Sequence, residues 1–170
     1  MKKCIALLAA LMLLCTLTAF AEEPAIPLET LTMEDGFTFA VPALWSYMPI
    51  TEEMDAQNMF IIGFQYTDSL MVSGFMYRLE EGKTLAQHAE EIASEGTYSR
   101  MEVVTNEKGY EVLRFEYEDG TLAGYEFLLE NGYVVNFMYG YVDRSKPIME
   151  YPGMDVMMEA AINTLGYAEK

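Results

Sequence analysis

The chain is predicted to fold as α+β. One antiparallel β-sheet of about six to eight strands should end in a C-terminal meander, with helices packed on both faces as an α/β/α sandwich. Three observations predict this. Asp119-Gly120 and Asn131-Gly132 each separate two apolar-rich runs, and Asn, Asp and Gly are the residues that tolerate the positive φ angles of a tight type I′ turn. The runs Glu111–Glu118, Thr121–Glu130 and Tyr133–Val142 are apolar on both alternations, so a sheet built from them needs cover on both sides. Two segments, Thr84–Ser94 and Pro152–Leu165, carry apolar residues at helical spacing on one side only and can supply that cover.

Two-residue turns fix a register in which Glu118 faces Thr121 and Glu130 faces Tyr133. One face then collects Leu113, Phe115, Tyr117, Leu122, Gly124, Glu126, Leu128, Val135, Phe137, Tyr139 and Tyr141. The other face collects Val112, Arg114, Ala123, Tyr125, Phe127, Leu129, Val134, Asn136, Met138 and Val142. Gly124 should lie between Phe115 and Tyr139, leaving room for two rings.

The remaining elements follow in order. Leu28–Met33 alternates as a strand, Glu34-Asp35-Gly36 turns it, and Phe37–Val41 is a second strand stopped by Pro42, which cannot donate to a ladder. Ala43-Leu44-Trp45 is a corner carrying the single tryptophan, and Thr51–Asn58 suits one helical turn. Met59–Tyr66 and Leu70–Leu79 read as strands around Thr67-Asp68-Ser69. Thr84-Leu85-Ala86-Gln87 is a capping-box pattern that opens a helix with Leu85, His88, Ala89 and Ile92 on one side. Ser99–Thr105 is a strand, and Asp143–Tyr151 a loop. Pro152 suits the first turn of the last helix, Met154, Met157, Met158, Ala161, Ile162 and Leu165 form its stripe, and Gly166 should end it.

The N-terminus reads as a cleavable signal peptide over residues 1–21. Lys2 and Lys3 precede an apolar run from Cys4 to Phe20, and Ala19-Phe20-Ala21 fits a cleavage site before Glu22. The run is short for a membrane span of about 20 residues, and a retained anchor is the alternative. Leu14 before Cys15 does not fit lipidation. Cleavage removes both cysteines, leaving residues 22–170 as a single cysteine-free domain in a secreted or extracytoplasmic compartment. The chain is acidic, with net charge −17, and loses Lys2 and Lys3 as well. That charge opposes nucleic acid and anionic membranes and suits cationic partners or divalent ions.

Phe37-Thr38-Phe39-Ala40-Val41-Pro42 followed by Trp45 resembles the opening F-x-x-x-V-P-x-x-W of the Mog1/PsbP-like fold family. The order that follows, with a hairpin, a helix led by a Thr-Leu pair, a long meander and a C-terminal helix, is similar to the family over almost the whole mature chain. The resemblance implies an antiparallel sheet between helices and an accessory or binding role without catalytic residues. Function by this route is analogy.

Motifs for chemistry are sparse. His88 is the one histidine, so neither a three-His zinc site nor a two-His facial triad can be assembled. No Gly-x-Ser-x-Gly elbow and no glycine-rich phosphate loop occurs, and no cofactor is implied. Glu52-Glu53-Asp55, Glu80-Glu81, Glu90-Glu91 and Glu116-Glu118-Asp119 lack EF-hand spacing and read as solvated runs. The methionines read as core packing. Two functions are expected to compete: a secreted non-catalytic binding or accessory domain with an unknown protein, lipid or small-molecule partner at the envelope, and a secreted hydrolase using paired carboxylates. The candidate ligand-facing residues are Glu126, Trp45, Phe115, Phe137 and Tyr139. Glu126 stands out as a carboxylate in the middle of an inner strand. It should pair with a cation such as Arg78 or Arg100, reach water at a helix end, or line a pocket.

Overall fold

The computed structural model describes residues 27–33, 36–43, 46–47, 60–65, 70–94, 96–141, 143–144 and 146–167, with backbone alone at 47 and 60–65. The expected signal peptide, Trp45, Val142 and the expected helical turn Thr51–Asn58 lie outside the described residues.

The described residues form an α+β structure with two antiparallel sheets and two α-helices. Strands β1 (Leu28–Thr32), β2 (Phe37–Pro42) and β10 (Gly166–Tyr167) make a three-stranded sheet in the order β1-β2-β10. Strands β3 (Ser46–Tyr47), β4 (Phe60–Gln65), β5 (Leu70–Arg78), β6 (Tyr98–Thr105), β7 (Glu111–Tyr117), β8 (Leu122–Leu128) and β9 (Tyr133–Tyr141) make the larger one, in the order β3-β4-β5-β9-β8-β7-β6. The N-terminal hairpin therefore does not extend the main sheet, as a single-sheet architecture would require. All six residues of β2 are buried, and its rings stack on the larger sheet, Phe37 5.0 Å from Phe127 and Phe39 5.1 Å from Phe137. A strand that apolar is stabilised more by lying flat on a second sheet than by adding to an edge.

The meander is present, with one register as expected and one shifted. Between β7 and β8, Leu113 pairs with Glu126 and Phe115 with Gly124, in the register that sets Glu118 against Thr121. Between β8 and β9, Glu126 pairs with Asn136 and Gly124 with Met138, one residue away from the expected register. The cause is loop length. Leu129 N donates to Tyr133 O at 2.7 Å, closing a three-residue loop in which Gly132 takes φ +83°. Neither Asn131 nor Asp119 adopts positive φ, so the turns are not type I′. A shift of one turns every β9 side chain to the other face. Val134, Asn136 and Met138 join Leu113, Phe115 and Glu126, and Val135, Phe137 and Tyr139 join Val112, Tyr125 and Phe127.

Helix α1 (Leu85–Ala93) starts at Thr84, where both halves of the capping box form: Gln87 N donates to Thr84 Oγ1 at 3.2 Å and Thr84 N donates to Gln87 Oε1 at 3.0 Å. Its buried Leu85 and Ala89 share a core cluster with Leu79, Leu113 and Val134. Helix α2 (Met154–Thr164) buries the expected stripe, Met154, Met157, Met158, Ala161 and Ile162, with Leu165 at its C-cap, in a larger cluster with Phe37, Phe39, Tyr125, Phe127 and Phe137. Pro152 precedes this helix, whose cap is Gly153 at φ +77°. Gly166 opens β10 instead of ending the helix, at φ +145°, where a Cβ would lie 2.6 Å from the Tyr110 ring. Within the expected loop after β9, Ile148–Glu150 forms a 3-10 turn with Ile148 buried. The buried Asn106 amide holds the end of α2 by donating to Ile162 O at 3.1 Å and Leu165 O at 2.8 Å. Arg114 reaches Asp155 in the first turn of α2.

Candidate functional site

Glu126 sits in the middle of β8, with β7 and β9 hydrogen-bonded on either side. It is 4% exposed, so its carboxylate needs partners inside the molecule. Asn136, directly opposite on β9, donates from Nδ2 to Oε1 at 2.6 Å. His88 Nε2 lies 3.3 Å from Oε2. The cations expected from the sequence are engaged elsewhere or apart: Arg100 holds Glu102 and Glu116, and Arg78 is exposed. The histidine is the partner that sequence reasoning missed.

The local sequence explains how His88 gets there. The capping box fixes the first turn of α1, and burial of Leu85 and Ala89 on Leu113 and Val134 fixes the helix rotation. His88, between those two buried positions, is then set over Glu126, the cross-strand partner of Leu113, and Asn136, two residues along β9 from Val134. Tyr77 on β5 pairs with Val134, and its hydroxyl is 2.8 Å from His88 Nε2. Burial raises the Tyr77 hydroxyl pKa far above its usual value, and the negative charge of Glu126 raises it further. The hydroxyl is thereby kept as a hydrogen-bonding group, not a phenolate nucleophile. Two buried acceptors in this cluster, Glu126 Oε2 and Asn136 Oδ1, have no hydrogen-bond donor among the described residues.

The other sequence candidates do not gather around Glu126. Phe115 shares its face and closes over Gly124, where a Cβ would be 2.6 Å from the ring, and it lies 6.0 Å from the Tyr98 ring. Phe137 and Tyr139 are buried on the opposite face. Phe137 packs on Phe39 and on Tyr125, and the Tyr139 hydroxyl is 2.9 Å from that of Tyr125. The aromatic face expected to flank Glu126 is thus interior core, shared with β2 and α2. Trp45 lies outside the described residues.

Two concavities open on the described surface. A groove of about 610 Å³ lies at the hairpin end of the larger sheet, between the Leu79–Lys83 loop and the Leu129–Gly132 turn, with half-buried Tyr110 and Tyr167 in its wall and Arg78 and Glu130 on its rim. A smaller apolar one of about 180 Å³ is lined by Met71, Ser73, Phe75, Leu122, Met138 and Arg144. Neither is lined by Glu126. Among the described residues no three His, Cys, Asp or Glu converge, and no helix is long and apolar enough to cross a membrane. Comparison with protein-family models and with curated proteins gives no match.

Proposed function

We propose that the protein is an extracytoplasmic, non-catalytic binding or accessory domain, released from a precursor by removal of residues 1–21. Its architecture is read as Mog1/PsbP-like: α1 covers one face of the larger sheet, and α2 with the small sheet covers the other. The separation of the two core clusters supports that layering, because Leu113 and Val134 meet α1 while their strand neighbours Val112 and Val135 belong to the cluster that holds α2.

The observation that carries the binding reading is the groove at the hairpin end. It combines two part-exposed tyrosine rings with a rim of opposite charges, Arg78 and Glu130, both exposed and without an ion pair among the described residues. Amphipathic rings beside unpaired charges suit recognition of a polar partner. The hydrolase alternative draws less support. Glu102 and Glu116 converge, but on the guanidinium of Arg100, at 2.8 and 3.2 Å, which engages both as ion-pair partners. Glu126 is packed beneath α1.

The test is capture from the extracytoplasmic fraction of the source cell, comparing the wild-type chain with the double variant Arg78→Glu/Glu130→Lys. Both positions are exposed, so the variant should fold. A component retained by the wild type and released by the variant supports the proposal. Turnover of glycoside or ester substrates that Glu126→Gln abolishes would replace it with the hydrolase.

A further inference from the structure

Buried acceptor atoms without donors call for an ion or an ordered water. Glu126 Oε2 and Asn136 Oδ1 are such a pair, on the two adjacent inner strands β8 and β9. Two more electron-pair donors stand beside them. His88 Nε2 is 3.3 Å from Glu126 Oε2, and Tyr77 Oη is 2.8 Å from His88 Nε2. Ligand distances to zinc are about 2.0–2.2 Å, so two ligands of one tetrahedral ion stand about 3.4 Å apart. The His88–Glu126 spacing meets that value. The Tyr77–His88 spacing is shorter by about half an ångström on the same basis, which rotation of the half-buried Tyr77 can open.

We propose that His88, Glu126 and Tyr77, with the Asn136 carbonyl oxygen, bind one divalent first-row metal ion. The set offers one imidazole nitrogen and three oxygens, with no sulfur, which suits zinc or manganese and not copper(I). The Asn136 amide hydrogen bond to Oε1, at 2.6 Å, orients the carboxylate and leaves Oε2 as the ligand atom, the outer-sphere support that metal carboxylates ordinarily have. The four residues come from α1, β5, β8 and β9, so the ion would tie the helix to three strands of the larger sheet. Their positions, 77, 88, 126 and 136, have no short spacing, and a motif search over the sequence passes over them. The site is separate from the groove of the proposed binding function, and either can fail alone.

The test uses the full chain stripped with a chelator and zinc chloride as the only addition. One zinc per chain should survive gel filtration, and zinc at about a hundredfold over its dissociation constant should raise Tm by roughly 5–10 °C. His88→Gln and Glu126→Gln should abolish the shift, and Tyr77→Phe should weaken binding about tenfold or more. Far-UV circular dichroism checks that each variant folds, and His88→Gln, which leaves the Glu126 carboxylate and its bond from Asn136 in place, carries the test if Glu126→Gln does not. Surface carboxylates also collect zinc, and His88→Gln keeps all of them. A wild-type Tm that zinc does not raise, or a rise that persists in His88→Gln, overturns the proposal.

Discussion

Replacing Asn106 with alanine should be among the most costly single changes in this protein. Its side chain is 6% exposed and makes four hydrogen bonds. Nδ2 donates to Ile162 O at 3.1 Å and Leu165 O at 2.8 Å, while Oδ1 accepts from Lys108 N at 3.1 Å and Tyr110 N at 3.0 Å. One residue thus satisfies the open carbonyl end of α2 and shapes the β6–β7 turn. Each net hydrogen bond is worth about 0.5–1.5 kcal/mol, and each buried group left unsatisfied costs about 1–3 kcal/mol. Lys108 is exposed, so water can replace the bond to its amide. Ile162 O keeps its bond from Leu165 N at 3.2 Å, and the other two groups are interior or half-buried, which sets the expected loss at about 2–4 kcal/mol. Equilibrium urea unfolding measures it directly, with the m-value as a check that both end states are unchanged. Asn106→Asp sharpens the argument. It keeps both acceptor bonds but sets a carboxylate against two carbonyl oxygens, so it should match or exceed the alanine loss at neutral pH and recover partly in acid, where the protonated acid can donate. A loss below about 1 kcal/mol for Asn106→Ala, less than a single orphaned buried group, or an Asp variant milder than Ala at neutral pH, would refute the reasoning.

Two further outcomes follow from the interior. Gly124→Ala places a Cβ 2.1 Å from the Phe137 carbonyl oxygen and 2.6 Å from the Phe115 ring; the carbonyl belongs to the neighbouring strand and cannot withdraw, so the variant should lose about 3 kcal/mol or more, and a thermal melt that matches wild type would contradict the packing. Burial raises the hydroxyl pKa values of Tyr125, Tyr139 and Tyr77 above the usual value near 10. A raised folded-state pKa contributes stability that is fully present below the unfolded pKa and is lost as pH climbs beyond it. Unfolding free energy should therefore fall above about pH 10, with part of the phenolate absorbance appearing only as the chain unfolds; all twelve tyrosines ionising together in the native protein would oppose this.

How much of this was legible in the sequence depended on what each signal encodes. The capping box of α1 and the methionine stripe of α2 are local patterns, and both stand as read. The first meander register was legible because an even number of loop residues leaves strand parity unchanged. The second was not. Asn131-Gly132 announces a turn but not how many residues it holds, and β9 is apolar on both alternations, as Val134-Val135 and Phe137-Met138-Tyr139 show, so hydrophobicity could not choose. Asn136 could have. It is the one polar residue in that strand, and the register that sets it beside Glu126 satisfies a buried carboxylate, which then points to His88 as the remaining partner. Weighing polar satisfaction ahead of aromatic clustering would have found the cluster and moved Phe137 and Tyr139 into the core. The two-residue strand β10 carries too little pattern to be seen, and with it the existence of a second sheet.

That second sheet has a consequence for how the chain must be made. β2 receives one neighbour from β1, a few residues away, and the other from Gly166–Tyr167, which pair with Thr38 and Phe37. Its rings rest on Phe127 and Phe137, and α2 lies close by. A ribosome delivers the hairpin well before everything it packs against. Loop closure over that separation must precede the contacts that reward it. The hairpin therefore waits, unpaired on one edge, until Gly166–Tyr167 has been made. Folding of this layer is tied to synthesis of Gly166–Tyr167, and a nascent chain halted before Phe127 would display Phe37, Phe39 and Val41 to whatever chaperone meets it.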